Sequence, residues 1–287
     1  MQSSNPVFAR SEGFNGRGSS SGMRYPGQNA PQAPQYDQSA YTQTQYGGGT
    51  PPTQTPVGTG RMTIDSVVQK TGISLGIVIV VAVATWIMTG PIDNPDTLTT
   101  LYMLSMVGAL GGFALAMVNS FKRVISPALV IAYAALEGVF VGAFSKAIEA
   151  QFGDGLVMGA VIGTFAAVAG TLAAYKFFNI RVSNKFRKWT VAALFGFVAV
   201  SLFDFVLSFF QADFGINGFG GLGLVMSFIG LGLGVLMLIL DFDFVERGIE
   251  AGLPEQESWR AAFGLTVTII WIYIELLRIL AILRGND

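Results

Sequence analysis

Four ionisable residues interrupt apolar segments of membrane-spanning length, and they are the first candidates for chemistry. Glu137, Asp204, Glu275 and Arg278 each lie inside a run of aliphatic and aromatic residues. A charged side chain is costly in the hydrocarbon layer, so such residues usually line an ion pathway or form a functional site. The chain contains no His and no Cys, which removes the usual general base and the thiolate nucleophile or metal ligand. Proton chemistry in this chain must therefore run on carboxylates.

The depth of these groups follows from the helical rise of ~1.5 Å per residue, which places Glu137 about 15 Å and Glu275 about 20 Å into their segments. The same rise places Asp204 about 23 Å and Arg278 about 25 Å into theirs. Arg278 can pair with Glu275 on its own helix face or with Asp204 on another helix. Two acids then lack a cation, and such a carboxylate binds a proton, faces water or binds a cation. These outcomes suit a proton-sensitive ion pathway, whereas the alternative is that the groups hydrogen-bond to neighbouring helices and fix packing.

Two further acids, Asp241 and Asp243, close the sixth apolar segment in LMLILDFDFVERGIE. We expect the helix to end in this charged cluster, with both acids at the cytoplasmic mouth. The Asp-x-Asp of phosphatases of the haloacid dehalogenase type requires a parallel sheet, for which the chain has no pattern. Gly218, Gly220 and Gly223 fit G-x-G-x-x-G, but no strand precedes them. We therefore expect no enzymatic activity, no cofactor and no resident metal, and Ca²⁺ only as a transported ion.

The composition is that of an integral membrane protein. The chain is 52% hydrophobic and 12% charged, whereas a soluble domain is about a quarter charged. Its net charge of -1 offers no basic footprint for nucleic acid. Residues 1–60 are rich in Gly, Ser, Gln, Pro and Tyr and have too few aliphatic residues to form a core. We predict a disordered cytoplasmic tail over 1–60 and a transmembrane domain over 61–287.

A helix needs ~20 apolar residues to cross the hydrocarbon layer, and seven stretches meet that length. They predict an all-α bundle of seven transmembrane helices in contact with the lipid bilayer. Lys and Arg cluster in alternate connections, which predicts a cytoplasmic N-terminus and an extracytoplasmic C-terminus in the inner (plasma) membrane. The seven stretches are 72–90, 98–118, 127–146, 156–175, 189–210, 220–240 and 261–283.

Small residues recur at intervals of four within these stretches, which places them on one face of a helix. Such spacing allows two helix backbones to approach closely. We therefore predict close helix contacts at these glycines. They are Gly108 and Gly112, Gly138 and Gly142, Gly155, Gly159 and Gly163, and Gly230 and Gly234.

Three motifs in chain order carry a resemblance to a known family. They are AYAALEGVFVG in the third stretch, LILDFDF closing the sixth and ELLRILAIL closing the seventh. Over residues of about 65–285, the chain resembles the bacterial branch of the Bax inhibitor-1 family, the transmembrane BAX-inhibitor-motif proteins. The resemblance implies a central seventh helix wrapped by the other six. It also implies a pH-sensitive calcium leak, in which acids on helices six and seven latch a gate on the cytoplasmic side.

The resemblance also assigns residues to this latch. Asp241 or Asp243 matches the acid of helix six, and Arg278 matches the Arg of the closing Leu-Leu-Arg. Where many relatives carry the acid of helix seven, this chain has Thr268, whose hydroxyl does not titrate near neutrality. Glu275, two turns further along the same face, is the substitute that the sequence offers.

These observations favour a proton-modulated cation pathway whose partners are the bilayer, cations and protons, with no protein partner indicated. A non-conducting regulator of membrane-protein quality control or of a stress response is the alternative. A secondary transporter is a weaker hypothesis, because seven helices do not divide evenly into inverted repeats. The first two differ in whether Glu137, Asp204 and Glu275 converge on one cavity.

Overall fold

The computed structural model describes residues 60–92, 95–212 and 214–285. Within these residues the chain forms seven helices, and all seven are long and apolar enough to cross a membrane. The predicted tail lies outside the described residues except for Gly60. The helices are α1 (Ile64–Met88), α2 (Pro95–Phe121), α3 (Pro127–Phe152), α4 (Leu156–Phe177), α5 (Asn184–Ser208), α6 (Gly221–Glu250) and α7 (Glu257–Gly285).

The helices are longer than the apolar stretches that predict them. The sixth helix runs ten residues beyond its apolar stretch of 220–240, because α6 continues through the charged cluster to Glu250 and contains both Asp241 and Asp243. Asp243 and Arg247 form an i,i+4 ion pair within this extension, an arrangement that supports helix outside hydrocarbon. An apolar run therefore marks where a helix crosses the membrane and not where the helix stops.

The segment before α1 is tied to the connection between α6 and α7. The N–H of Met62 donates to the carbonyl of Leu253 at 2.8 Å, and the N–H of Glu255 donates to the carbonyl of Gly60 at 2.8 Å. The Met62 side chain is buried at 1% exposure. Thr63 then caps α1, since its side chain accepts from the backbone N–H of Ser66. The segment from Gly60 to Thr63 is thus held against the α6–α7 connection.

α7 is the central helix, as the family resemblance implies. Its spanning window is 61% buried, whereas the next most buried helix, α3, reaches 39%. α7 packs against α1, α3, α4 and α6. α5 reaches it through the rings of Phe197 and Trp271, whose centroids are 5.5 Å apart. The side chains of α7 are therefore placed to meet residues from most of the bundle.

Glycines mark close helix contacts at the predicted positions except Gly155, which lies just before α4 and where a Cβ would meet no atom within 4 Å. A Cβ at Gly108 on α2 would lie 2.6 Å from the backbone N of Phe140 on α3. A Cβ at Gly138 on α3 would lie 2.8 Å from the carbonyl of Val78 on α1. Packing at this distance supplies the van der Waals contact that associates helices in lipid.

The outward surface of the bundle is apolar, which is the arrangement of a protein surrounded by hydrocarbon. Large aliphatic and aromatic side chains are more than half exposed on five of the helices. A soluble monomer rarely exposes apolar patches of such extent. Examples are Val80 on α1, Phe113 on α2, Phe165 on α4, Phe195 on α5 and Phe228 on α6.

Candidate functional site

Asp241 on α6 faces Thr268 on α7. The Thr268 hydroxyl donates to Asp241 Oδ2 at 2.6 Å. A Cβ at Gly264, one turn earlier on α7, would lie 3.3 Å from Asp241 Oδ1, so glycine leaves room for the carboxylate. Of the two acids that the motif offered, Asp241 is therefore the one that faces Thr268. In this chain the α6–α7 contact joins one carboxylate to one hydroxyl.

Asp243, two residues further along α6, has a different environment. It is 4% exposed and accepts from Arg187 Nη2 at 2.8 Å and from Arg247 Nε at 2.9 Å. Arg247 Nη2 also donates to the carbonyl of Val182 at 2.7 Å. The Asp243 carboxylate thus ties α6 to the start of α5 and to the connection before it. Its charge is compensated by two cations, so its evident role is structural.

Glu275 and Arg278 form the ion pair that the i,i+3 spacing allows. Arg278 Nη1 lies 3.3 Å from Glu275 Oε2. Arg278 Nη2 also donates to the carbonyls of Ile216 and Gly218 at 3.2 and 3.4 Å. Both partners are buried within the bundle. Arg278 therefore joins the buried acid to the connection between α5 and α6.

Asp204 is not a partner of Arg278, which excludes the second pairing that the sequence allowed. It is 2% exposed and accepts from the backbone N–H groups of Phe214 at 2.7 Å and Asn217 at 3.0 Å. The side-chain amide of Asn217 also donates to it at 3.2 Å. These bonds fix the α5–α6 connection. Sequence reasoning missed Asn217, although an Asn among glycines is a turn signal.

Glu137 on α3 has no cation beside it. The Tyr133 hydroxyl, one turn earlier, faces its carboxylate. A Cβ at Gly112 on α2 would lie 3.0 Å from Glu137 Oε1, so a glycine again makes room for an acid. Among the described ion pairs, neither Glu137 nor Asp241 has a Lys or Arg nitrogen within 4.0 Å.

Glu137 and Glu275 face a common cavity of about 460 Å³. α3, α5 and α7 form its walls, and Arg278 and Asn217 also line it. Two of the three membrane-depth acids therefore converge, while Asp204 lies apart and holds the loop. Most of the remaining wall is apolar, with Phe140, Phe197, Phe205 and Trp271 contributing the rings.

The polar groups follow one another along α7. Thr268 lies toward the end of the bundle that carries most of the Lys and Arg residues of the connections, which we call the basic end. Glu275 lies seven residues further, or about 10 Å at the helical rise. The described part of the chain holds no group of three or more His, Cys, Asp or Glu able to bind a metal ion. The cavity presents two carboxylates, of which one is paired with an arginine.

The family follows from comparison of the sequence with known proteins. A sequence model of the family described as Bax inhibitor 1 like matches residues 5–285 of this chain. The chain belongs to the Bax inhibitor 1 like family. The match extends into the N-terminal tail, beyond the region of about 65–285 over which the motifs indicated a resemblance.

One curated relative of this Bax inhibitor 1 like protein is an uncharacterized protein of Chlamydia muridarum (strain MoPn / Nigg). The two are 29% identical over 158 residues. The alignment covers 53% of this chain and 63% of the relative, so it spans less than two thirds of the relative's length.

Proposed function

We propose that this Bax inhibitor 1 like protein is a proton-modulated cation leak, with Ca²⁺ as its cargo, rather than an enzyme. The observation that carries the proposal is the shared cavity of Glu137 and Glu275 among α3, α5 and α7. The hydrogen bond between Asp241 and Thr268 lies between that cavity and the basic end. Under this proposal a cation passes the two carboxylates of the cavity and then the α6–α7 contact.

The charge balance of the cavity supports cations over anions. Arg278 is within ion-pair distance of Glu275, so it neutralises one of the two carboxylates. Glu137 then contributes a net negative charge when it is ionised. Acidic side chains lining a constriction favour cations. Proton uptake by Glu137 removes that charge, which makes cation entry sensitive to pH.

The Asp241–Thr268 contact supplies a second proton-dependent step. A hydrogen bond to an ionised acceptor is roughly twice as strong as one between neutral groups. Proton uptake by Asp241 therefore weakens the bond that joins α6 to α7. Under this proposal, an acidic medium favours separation of the two helices on this side of the cavity.

We further propose that the basic end lies in the cytoplasm and that the protein resides in the inner (plasma) membrane. The connections and helix starts on that end carry most of the described Lys and Arg residues near the helix ends, including Arg181 before α5 and Lys185 and Lys188 in its first turns. Cytoplasmic loops carry an excess of these residues. The N-terminus is then cytoplasmic and the C-terminus extracytoplasmic.

The test is calcium flux through the full-length protein in liposomes that enclose a calcium indicator. Glu137→Gln removes the uncompensated charge of the cavity and should lower calcium entry by about tenfold, a loss equivalent to about 1.4 kcal/mol. Glu250→Gln makes the same chemical change at an exposed position on α6 and should match the parent. A parent protein that passes no more Ca²⁺ than protein-free liposomes would overturn the proposal.

The competing proposal is a non-conducting regulator of membrane-protein quality control or of a stress response. It is favoured by Asp204 and Asp243, whose carboxylates are satisfied by backbone N–H groups and by arginines. A wholly structural role for Glu137 and Glu275 extends the same pattern. This proposal predicts no flux at any pH in the liposome assay, with the protein folded and stable.

A further inference from the structure

A second cavity, of about 850 Å³, opens on the side of the bundle between α1 and α4. The two helices do not meet, since none of their Cα atoms approach within 8 Å. α3 and α7 form the floor, where Ser145, Ile270 and Tyr273 are each less than 10% exposed. The rim is open, because its side chains are more than half exposed. The rim residues are Ile79 and Val83 on α1 and Met158 and Phe165 on α4. We call this cavity the α1–α4 groove.

The α1–α4 groove is separate from the cavity of Glu137 and Glu275. Ile270 is the residue that lines both. The groove extends along α1 from Gly72 to Trp86, which is about 21 Å at the helical rise. That length is roughly two thirds of a ~30 Å hydrocarbon layer. Its open side therefore faces hydrocarbon rather than water.

The hydroxyl and carboxylate groups that line the groove already bond to partners within the protein. The hydroxyls of Ser145 and Tyr273 bond to each other at 2.6 Å. Thr164 donates to the carbonyl of Ala160 at 2.7 Å. Glu149 accepts from the N–H of Gly155 at 2.8 Å at the start of α4. An occupant is therefore selected by apolar shape, because these groups leave it little to bind by hydrogen bonds.

We propose that the α1–α4 groove is a binding site for one acyl chain of a bilayer phospholipid. A groove left without neighbouring atoms forfeits the dispersion contacts of its lining, and acyl chains are the apolar molecules that surround spanning helices. The volume lies within the ~300–1,000 Å³ of small-molecule sites. An acyl chain also needs no hydrogen-bond partner, which matches a groove whose hydroxyl and carboxylate groups bond within the protein.

Two glycines on α1 give the groove part of its width. Gly72 and Gly76 both line it, and a Cβ added at either would meet no atom within 4 Å. A large side chain at Gly76 is therefore expected to enter the groove without striking the backbone of a neighbouring helix. Gly196 on α5 offers a matched control, since a Cβ there also meets nothing within 4 Å and the residue lies outside the groove.

The experiment counts phospholipids retained by the full-length protein, by native mass spectrometry after extraction in a mild detergent. The parent and Gly196→Phe should each retain one phospholipid per chain. Gly76→Phe should reduce that occupancy by at least about fivefold, because a phenyl ring overfills a site sized for the chain. Thermal unfolding of each variant checks its fold. If Gly76→Phe does not fold, Gly72→Leu places a smaller side chain in the same groove.

Four results would overturn the proposal. The first is a parent that retains no phospholipid, and the second is equal retention by the two Phe variants. The third is a parental dimer that Gly76→Phe dissociates, which would assign the groove to a second copy of the chain. The fourth is additional bound lipid after residues 1–59 are removed, which would assign it to the N-terminal tail.

Discussion

The candidate carboxylates differ in which groups compensate their charge. Asp204 and Asp243 are held by backbone N–H groups or by arginines. Glu275 has one arginine, and Asp241 has a threonine hydroxyl. A carboxylate with only a hydroxyl partner keeps a net charge that a proton or a cation can cancel. All of these residues are Asp or Glu, so the neighbours of each carboxylate determine whether its charge can change.

Arg278→Ala should destabilise the protein, because it leaves Glu275 buried without its cation. Deleting one partner of a buried pair typically costs ~3–5 kcal/mol. Proton uptake by Glu275 removes the unpaired charge, so the loss in unfolding midpoint should be smaller in acidic than in alkaline buffer. Thermal unfolding in detergent measures it, with Arg284→Ala, at an exposed position of α7, as control. Adding Glu275→Gln should recover part of the loss, and a double variant no better than Arg278→Ala would contradict this account.

Thr268→Val should weaken the α6–α7 contact, because it removes the hydroxyl that donates to Asp241. A buried acceptor left without its donor costs ~1–3 kcal/mol, which lowers the thermal unfolding midpoint. Thr266→Val is the matched control on the same helix, since the Thr266 hydroxyl donates only to the carbonyl of Ala262 within α7. An equal decrease in unfolding midpoint for the two variants would show that the hydrogen bond to Asp241 does not stabilise the α6–α7 contact. If the leak proposal holds, Thr268→Val should also raise calcium flux at neutral pH.

At the scale of elements, the contact of α6 with α7 is the interface on which the candidate site depends. Gly230, Gly234 and Gly264 allow the two helices to approach while carboxylates lie between them. The indole N–H of Trp271 donates to the carbonyl of Gly230 at 3.0 Å, which ties the backbones at the level of the cavity. The interface therefore combines close backbone packing with buried polar groups.

Gly230→Ala should disturb this interface more than an alanine elsewhere on α6. The added Cβ would lie 2.5 Å from Glu275 Oε1 and 3.0 Å from the Phe197 ring, so the acid must move. Overpacking of this kind typically costs ~1–3 kcal/mol. Gly232→Ala is the control, because its Cβ meets nothing within 4 Å, and alanine is favoured over glycine in a helix by roughly 0.5–1 kcal/mol. Unfolding midpoints should therefore move in opposite directions, and a common shift would be inconsistent with the close contact at Gly230.

The residues before α1 should be required for stability from residue 60 onward. A chain that starts at Gly60 keeps the bonds to Leu253 and Glu255 and should unfold at the temperature of the full-length protein. A chain that starts at Thr63 loses them, together with a buried Met62 side chain worth ~1.5–3 kcal/mol, and should unfold at a lower temperature. A chain that starts at Arg61 would lack the Gly60 carbonyl that accepts from the N–H of Glu255. Equal midpoints for the two chains would show that the pairing is dispensable.

At the scale of the whole molecule, seven spanning helices place the two ends of the domain on opposite sides of the membrane. The basic end holds the α4–α5 and α6–α7 connections, and the opposite end holds the α3–α4 and α5–α6 connections. The Asp241–Thr268 contact lies toward the first end, and the loop held by Asp204 and Arg278 lies at the second. The cavity of Glu137 and Glu275 lies between these two regions.

The orientation can be tested directly because the chain has no Cys. Single cysteines at Lys185, exposed in the first turn of α5, and at Asp154, exposed in the α3–α4 connection, should react with impermeant thiol reagents from opposite sides of the membrane. Lys185→Cys should be protected until the cells are opened, and Asp154→Cys should react at once. The reverse pattern would show that the orientation is opposite to the proposed one. Labelling of both cysteines from outside would show that one of the predicted helices between them does not cross the membrane.

The sequence by itself determined the class of protein and the course of the chain through the membrane. In hydrocarbon a backbone must satisfy its hydrogen bonds internally, so an apolar run of spanning length has essentially one available structure. Each of the seven predicted stretches lies within, or within two residues of, one observed helix. Glycines at intervals of four likewise marked helix contacts, because only a missing side chain lets two backbones approach so closely. The i,i+3 pairing of Glu275 with Arg278 is also local, and it was one of the two pairings that the sequence allowed.

Only the tertiary structure decided which distant groups meet. Glu137 and Glu275 lie on α3 and α7, and their common cavity depends on how those helices are rotated and placed, which no spacing along one chain encodes. Asp204 found backbone N–H groups of a loop, although its depth suggested an arginine. Asp243 found Arg187 on α5, while Asp241, two residues away and on another side of α6, met Thr268. A helix turns about 100° per residue, so adjacent acids of one motif face different neighbours, and the neighbours determine what each acid can do.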